Sequence, residues 1–528
     1  MRAPGRGFQL IALACTVVVA ACSKGGGSSS QTEAEKPLVG GLGKRLAGGP
    51  VADLKLTKDG AFATFLRNPK RPAIQGVSPL MALGELGVAS LKDGVVRFVG
   101  QGVSNRPGSV LFSPDSKWLF FVEGFNAAAE SGVLRTLPLG QAGEAEQRGR
   151  SVSFVTVSPT GKTFAFVDGG VLRVAPLEAG STTRTVATDV STAQFTPDGT
   201  FLVVHHRRSV GGGLELAWVD GTKPAVRLGD PVGDWTISPD GHRVAFAVDS
   251  RTARDTRDLY VATIPEGRSS RVGPGVTAFA FSPDSALLAR LEEGKADSAG
   301  KLVVGPAAGG AGRMLGERTG KFWFSPDSKA IAALTNYDEK KSWGRLTYAE
   351  MPDGKPVDLG TRVSTTVWSP DNRHLAFNST VFQPLPSVDL WLHVRGKPSA
   401  AKVMTNVYGY DFGPGGVLYL RSECIREARA CTLERLDPSV PDGKPTPILE
   451  GVFGFRPSEA GNRMLVTYAR TDADTYDVAV MNLKTSVRVT LEERILLPAL
   501  FADPQGSKVV YLVSQGERSG FYVCDQVP

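Results

Sequence analysis

Phe281-Ser-Pro-Asp-Ser285 and Phe324-Ser-Pro-Asp-Ser328 are two copies of one short sentence that this chain repeats along nearly its whole length. Other clear copies are Phe112-Ser-Pro-Asp-Ser116, Ser238-Pro-Asp-Gly241 and Trp368-Ser-Pro-Asp-Asn372. Looser ones are Ser158-Pro-Thr-Gly161, Phe195-Thr-Pro-Asp-Gly199, Phe412-Gly-Pro-Gly-Gly416, Phe455-Arg-Pro-Ser458 and Ala502-Asp-Pro-Gln-Gly506. Thr57-Lys-Asp-Gly60 is an eleventh copy without the proline. Successive prolines lie 38 to 47 residues apart. The motif has a turn mechanism. Proline presets φ for the first corner of a type I turn, and Asp tolerates the second corner and bonds to nearby backbone. Gly then takes a left-handed conformation, which closes a hairpin with a bulge. Ser or Asn at that last position is strained, Asn less so.

Each turn is followed by a continuous apolar run, such as Leu119-Phe-Phe-Val122, Phe164-Ala-Phe-Val167, Val244-Ala-Phe-Ala247 and Val509-Val-Tyr-Leu-Val513. Apolarity without alternation means that both faces of the strand are covered. A third strand follows, as in Leu259-Tyr-Val-Ala262 and Leu390-Trp-Leu392, and a fourth leads into the next turn. Four strands in about 40–45 residues is the period of a propeller blade. The expected fold is all-β, a β-propeller of about eleven four-stranded blades.

These repeats resemble the WD40-like family found in the TolB propeller and in the propeller of prolyl oligopeptidases. The resemblance covers about residues 50–526. It implies a fold and leaves function open, because propellers host many unrelated roles.

Eleven copies exceed the four to eight blades typical of one ring. The reading therefore favours two tandem rings, with the boundary at Gly305-Pro-Ala-Ala-Gly-Gly-Ala-Gly312. That gives a first propeller over 47–310 and a second over 311–528. A single large ring is the alternative. The strand beside Leu54-Lys-Leu56 decides between them: it pairs near Lys301-Leu-Val-Val304 in two rings and with Phe521-Tyr-Val523 in one.

The amino terminus carries a different signal. Arg2 and Arg6 precede a mostly apolar run from Phe8 to Ala20, which ends in Val19-Ala-Ala-Cys22. The run is short for a membrane span. It resembles the lipobox of bacterial lipoproteins, which implies a signal peptide over 1–21 and a diacylglycerol on the Cys22 thiol. Each buried CH₂ contributes about 0.8 kcal/mol, so several acyl chains make a firm anchor. Residues 22–46 read as the lipidated cysteine and a tether, with Ser-Lys-Gly-Gly-Gly-Ser-Ser-Ser after Cys22 giving its flexibility. Ser23 stands where many Gram-negative lipoproteins carry an inner-membrane retention Asp, so the resemblance implies the outer membrane.

Composition narrows the function. Without Arg2 and Arg6 the chain keeps 58 basic against 53 acidic residues, a net +5 that is weak for its length. No basic block interleaves with aromatics, which argues against nucleic acid. No Gly-x-Ser-x-Gly elbow and no phosphate loop are present, and no hydrolase domain follows the repeats. The reading is therefore not an enzyme, with no catalytic residue, cofactor or metal assigned. Of five histidines, His205 and His206 are adjacent on a strand and point to opposite faces, and His242 and His374 flank turns. Some TolB-like propellers are pectic-oligosaccharide lyases that use several histidines and a metal; five scattered histidines fit that poorly. Asp472-Ala-Asp-Thr-Tyr-Asp477 lacks the glycine and distal glutamate of a calcium loop and reads as a solvated hairpin.

Cys424 and Cys431 bracket a six-residue loop between two strands, which in an oxidising envelope points to a disulfide and leaves Cys524 unpaired. The functional expectation is a non-enzymatic envelope lipoprotein whose propeller surfaces bind or scaffold another envelope protein. The alternative is a carbohydrate-active or ligand-sensing propeller with a central-channel site. Apolar or aromatic rim patches favour the first, and convergent carboxylates and histidines at a channel mouth favour the second.

Overall fold

The structure, a computed structural model, describes residues 42–527 apart from 73–77, 79, 142, 250–256, 294–298, 382–386, 426–428, 441–442, 470–474, 514–515 and 526. Its described strands pair antiparallel with their neighbours in sequence and form seven four-stranded sheets and two seven-stranded sheets. It is an all-β propeller. The repeated turns explain the topology, since a tight hairpin returns the chain beside the strand it has just made.

Each seven-stranded sheet holds two of the repeated turns, joined through one long strand. In Glu146–Val157 the first part pairs back with Ser131–Pro138, from Thr136↔Glu146 to Gly132↔Val152. The second part pairs forward with Thr163–Asp168, from Asp168↔Val152 to Phe164↔Val157. Arg488–Phe501 does the same between Tyr476–Asn482 and Lys508–Val513. Seven blades are thus separate four-stranded sheets, where the sequence reading expects about eleven. Shared strands fuse the rest: Glu146–Val157 holds no residue at positive φ, while Arg488–Phe501 passes through Arg494 at φ 57° and still pairs on both sides.

The two-ring arrangement is also corrected. Lys44–Gly48 pairs with Gly520–Asp525, through Lys44↔Val523, Arg45↔Tyr522, Ala47↔Phe521 and Gly48↔Gly520. The strand next to Leu54-Lys-Leu56 therefore closes on the last strands of the chain and not on Lys301–Val304. Packing is continuous across residue 310: Leu291, Leu302 and Val304 share one core cluster with Ile331 and Ala333. The first and last sheets meet in another, where Val51, Leu54 and Phe65 pack on Leu512, Phe521 and Val523. The expected tether of 22–46 is shortened as well, since residues 44–46 belong to the closing strand.

The turns themselves form an unbroken circle. The left-handed residue of each turn lies against the turn before it. Ser285, Ser328 and Asn372 have φ of 63°, 64° and 61°. Their side-chain oxygens accept hydrogen bonds from the backbone N–H of Asp240 (2.9 Å), Asp284 (2.9 Å) and Asp327 (3.1 Å) in the preceding turn. Ser116 receives a longer one, 3.4 Å, from Asp59. Where the position is glycine, the neighbour often leaves no room for a side chain. A Cβ on Gly60 would fall inside the Ala502 carbonyl, and one on Gly199 would overlap the Ser158 hydroxyl. Gly60 against Ala502 joins the first turn to the last.

Candidate functional site

A cavity of about 810 Å³ opens where the first strands of consecutive sheets converge. Its wall comes from Val110–Phe112, the second part of Glu146–Val157 and Val190–Phe195, with Trp235 from Val232–Ile237. These strands converge because each leads into a Ser-Pro-Asp-type turn, which places it innermost. Val110–Phe112 has only three residues. Before it, the Ser109 N–H bonds back to the Arg106 carbonyl at 3.0 Å, and the resulting Arg106-Pro-Gly-Ser109 turn lines the space.

The lining mixes hydroxyls with aromatic rings. Ser153, Thr156, Ser191 and Thr192 alternate with Phe154 and Val155, next to Phe112 and Trp235. Two buried polar atoms here have no hydrogen-bond partner: Trp235 Nε1, on a side chain only 6% exposed, and Thr192 Oγ1. Three charges also line it. Arg106 forms a two-point ion pair with Glu130, at 3.2 and 3.3 Å. Arg207 makes no ion pair among the described residues.

A second feature lies at the sheet ends opposite the repeated turns. Tyr408 is 48% exposed and Ile425 is 60% exposed. Both stand at the end of the ladder between Val407–Phe412 and Leu418–Ile425 that begins with Val407↔Ser422. Cys424 and Cys431 are disulfide-bonded across this hairpin, as the sequence spacing suggests. Arg429, inside the bridge, reaches the next sheet: its guanidinium lies 4.8 Å from the Phe453 ring centroid and donates to Tyr476 Oη at 2.7 Å. The Phe453 and Tyr476 rings pack against each other at 4.8 Å between centroids, tilted by 32°. The result is a rim of aromatic and aliphatic side chains with the Arg429 guanidinium packed against two of its rings.

The other residues singled out in the sequence fall elsewhere. Cys22 lies outside the described residues, as do Asp472 and Asp474; Asp477 accepts the Arg494 backbone N–H at 3.1 Å. Cys524 is a buried free thiol whose pKa is raised by burial and by Asp525. His205 bonds the Val232 carbonyl at 3.0 Å, while His206 bonds the Thr188 carbonyl at 3.0 Å and pairs with Glu215 at 3.1 Å. His374 and His393 are buried in the sheet of Thr366–Met404, with His393 4.5 Å from the Tyr348 ring. Burial lowers the pKa of His205, His374 and His393. Among the described residues no three His, Cys, Asp or Glu converge as a metal site. The cavity was missed in the sequence. Its available signals were the Arg106-Pro-Gly108 interruption before a turn motif and a lone Trp235 amid smaller residues.

No family model matches the chain, and no curated protein matches it. Solved structures similar to it include the eukaryotic initiation factor, at 14% identity and TM-score 0.41, covering 69% of this chain and 94% of that one. The tricorn protease is similar at 12% identity and TM-score 0.29, over 84% of this chain and 58% of that one. The β-propeller domain of Cps50 (Swd1) from Myceliophteria thermophila is similar at 12% and 0.29, over 56% and 96%. At these scores the likenesses carry no argument about function.

Proposed function

We propose that this chain is a non-enzymatic lipoprotein of the bacterial cell envelope, held through Cys22, that binds or scaffolds a partner protein on the rim around the Cys424–Cys431 hairpin. One observation carries the reading: Tyr408 and Ile425 stand exposed beside a disulfide-braced hairpin and a packed Phe453–Tyr476 ring pair. Rigid aromatic groups with an arginine among them are what protein interfaces use as anchors. The bridge fixes the hairpin, so little ordering entropy is lost on docking. The lipobox resemblance supplies the anchor and the absence of Asp at position 23 supports the outer membrane.

The test places a photo-crosslinking amino acid in the full chain in its native cells, at Tyr408 or Ile425, with Val487 as an exposed control. A discrete adduct from the rim positions, absent from Val487 and lost in Cys424→Ser/Cys431→Ser, supports the reading. Equal labelling from Val487, or no rim adduct, overturns it.

A further inference from the structure

We propose that the cavity between the inner strands is a binding site for a small organic monocarboxylate, separate from the rim and independent of it. Three features of the lining point there. First, the Trp235 indole N–H is buried without an acceptor. A buried donor left unsatisfied is costly, and the ring that carries this one lines the cavity, so an occupant that brought an acceptor to it would be stabilised there. Thr192, on the neighbouring inner strand, also lines the space and has a hydroxyl without a hydrogen-bond partner.

Second, the charges set the sign and size of the ligand's charge. Glu130 neutralises Arg106, and Arg207 remains. The lining therefore carries one net positive charge, which a monoanion matches and a phosphate dianion exceeds. A guanidinium presents a planar fork that suits the two oxygens of a carboxylate.

Third, the size and texture are those of a small-molecule site. About 810 Å³ lies within the usual range of roughly 300–1,000 Å³, and such sites combine apolar rings with a few placed polar groups. Phe112, Phe154 and Trp235 supply the rings, and Ser153 and Ser191 add hydroxyls. The ligand's carboxylate would meet Arg207, with a second acceptor set deeper against the indole. Such a carboxylate comes either from a free hydroxy acid or from the end of a peptide.

The test uses the mature full-length chain with ¹⁵N-labelled indoles. Trp235→Phe identifies the Trp235 N–H resonance. The probes are gluconate for a free hydroxy acid and N-acetyl-Ala-Ala for a peptide end, with N-acetyl-Ala-Ala amide and inorganic phosphate as controls. A saturable shift of the Trp235 resonance with either carboxylate, weakened about tenfold or more in Arg207→Gln, is expected, since a charge-assisted pair is lost. Response to gluconate alone assigns a free acid, and response to the peptide alone assigns a chain end. No shift with either probe, equal response to the amide or to phosphate, or unchanged affinity in a normally folded Arg207→Gln overturns the proposal.

Discussion

Phe65 stacks on Phe521 with ring centroids 4.8 Å apart and planes 18° from parallel, so the first complete sheet of the chain packs directly on its last. The strand Lys44–Gly48 seals the same junction by pairing along Gly520–Asp525. A ring closed by its two chain ends makes the whole propeller depend on this contact. Phe521→Ala is expected to destabilise the chain by about 3–5 kcal/mol. Deleting residues 42–48 strips the partner from Gly520–Asp525 and leaves an open edge, which favours association between copies. Denaturant unfolding reads the first effect and light scattering the second. Cleavage within 305–312 that released two independently stable halves would contradict the closed ring.

The turn circle predicts an ordering of substitutions at one position. Ser328→Ala keeps the left-handed strain and loses the bond from the Asp284 N–H, so it is expected to cost about 1 kcal/mol. Ser328→Gly loses the same bond but relieves the strain, so it costs less. Thermal or urea unfolding of the two variants gives the order directly.

Gly60 predicts the opposite response to an added methyl. Its φ is +67° and a Cβ there would collide with the Ala502 carbonyl, which is backbone and has no rotamer to yield. Gly60→Ala is expected to destabilise far more than Gly396→Ala. That control also has positive φ, but nothing lies near its Cβ position. The comparison separates crowding from backbone strain in one unfolding experiment.

Opening the disulfide of the rim removes a short covalent loop. Loop-closure entropy puts the loss at about 2 kcal/mol for Cys424→Ser/Cys431→Ser. Arg429 sits inside that loop, so its contact with Phe453 and Tyr476 should loosen as well. Hydrogen exchange over residues 418–436 and 452–469 would show increased opening in the variant and not elsewhere.

Acid should weaken the fold in two stages. His205, His374 and His393 are lowered below the ordinary histidine value of 6.5, chiefly by burial. The unfolded chain then binds more protons than the folded one, so their contribution is complete above about pH 6.5 and is lost as pH falls toward the lowered values. The turn aspartates follow. Burial opposes the charge on Asp240, Asp284 and Asp371, but the hydroxyl two residues back and a backbone N–H outweigh it and hold each below 3.8. Their contribution is present above about pH 3.8 and fades as pH drops through the lowered values. Glu492, raised above 4.5 by burial, runs the other way and loses its contribution as pH rises through its folded-state value. Urea midpoints from pH 8 to pH 3 check the sequence of events.

The rim and the cavity were legible to different degrees. Cys424 and Cys431 could be paired from sequence because their spacing spans one hairpin, and a hairpin is a local structure. Arg429 reaching Phe453 and Tyr476 was not legible, because the contact crosses from one sheet to the next. The cavity was hidden for the same reason. Its wall gathers Arg106, Thr192 with Arg207, and Trp235 from three different repeats, and no one repeat shows a recognisable pattern.

By itself the sequence determined the repeating unit: a proline-led turn, a covered central strand, and the period between them. These follow from φ preferences and side-chain hydrogen bonds within a few residues, as in the Ser282 hydroxyl donating to Asp284 at 2.6 Å. Only the tertiary structure decided how the units close. The same turn is compatible with a small ring or a large one, because ring size depends on the angle between packed sheets. That angle is set by side chains that meet across sheets, such as Phe65 on Phe521, and by the pairing of Lys44–Gly48 with a strand from the far end of the chain. Two of the sheets are also each carried through a long strand of their own, which no turn motif announces; in Glu146–Val157 no residue has positive φ.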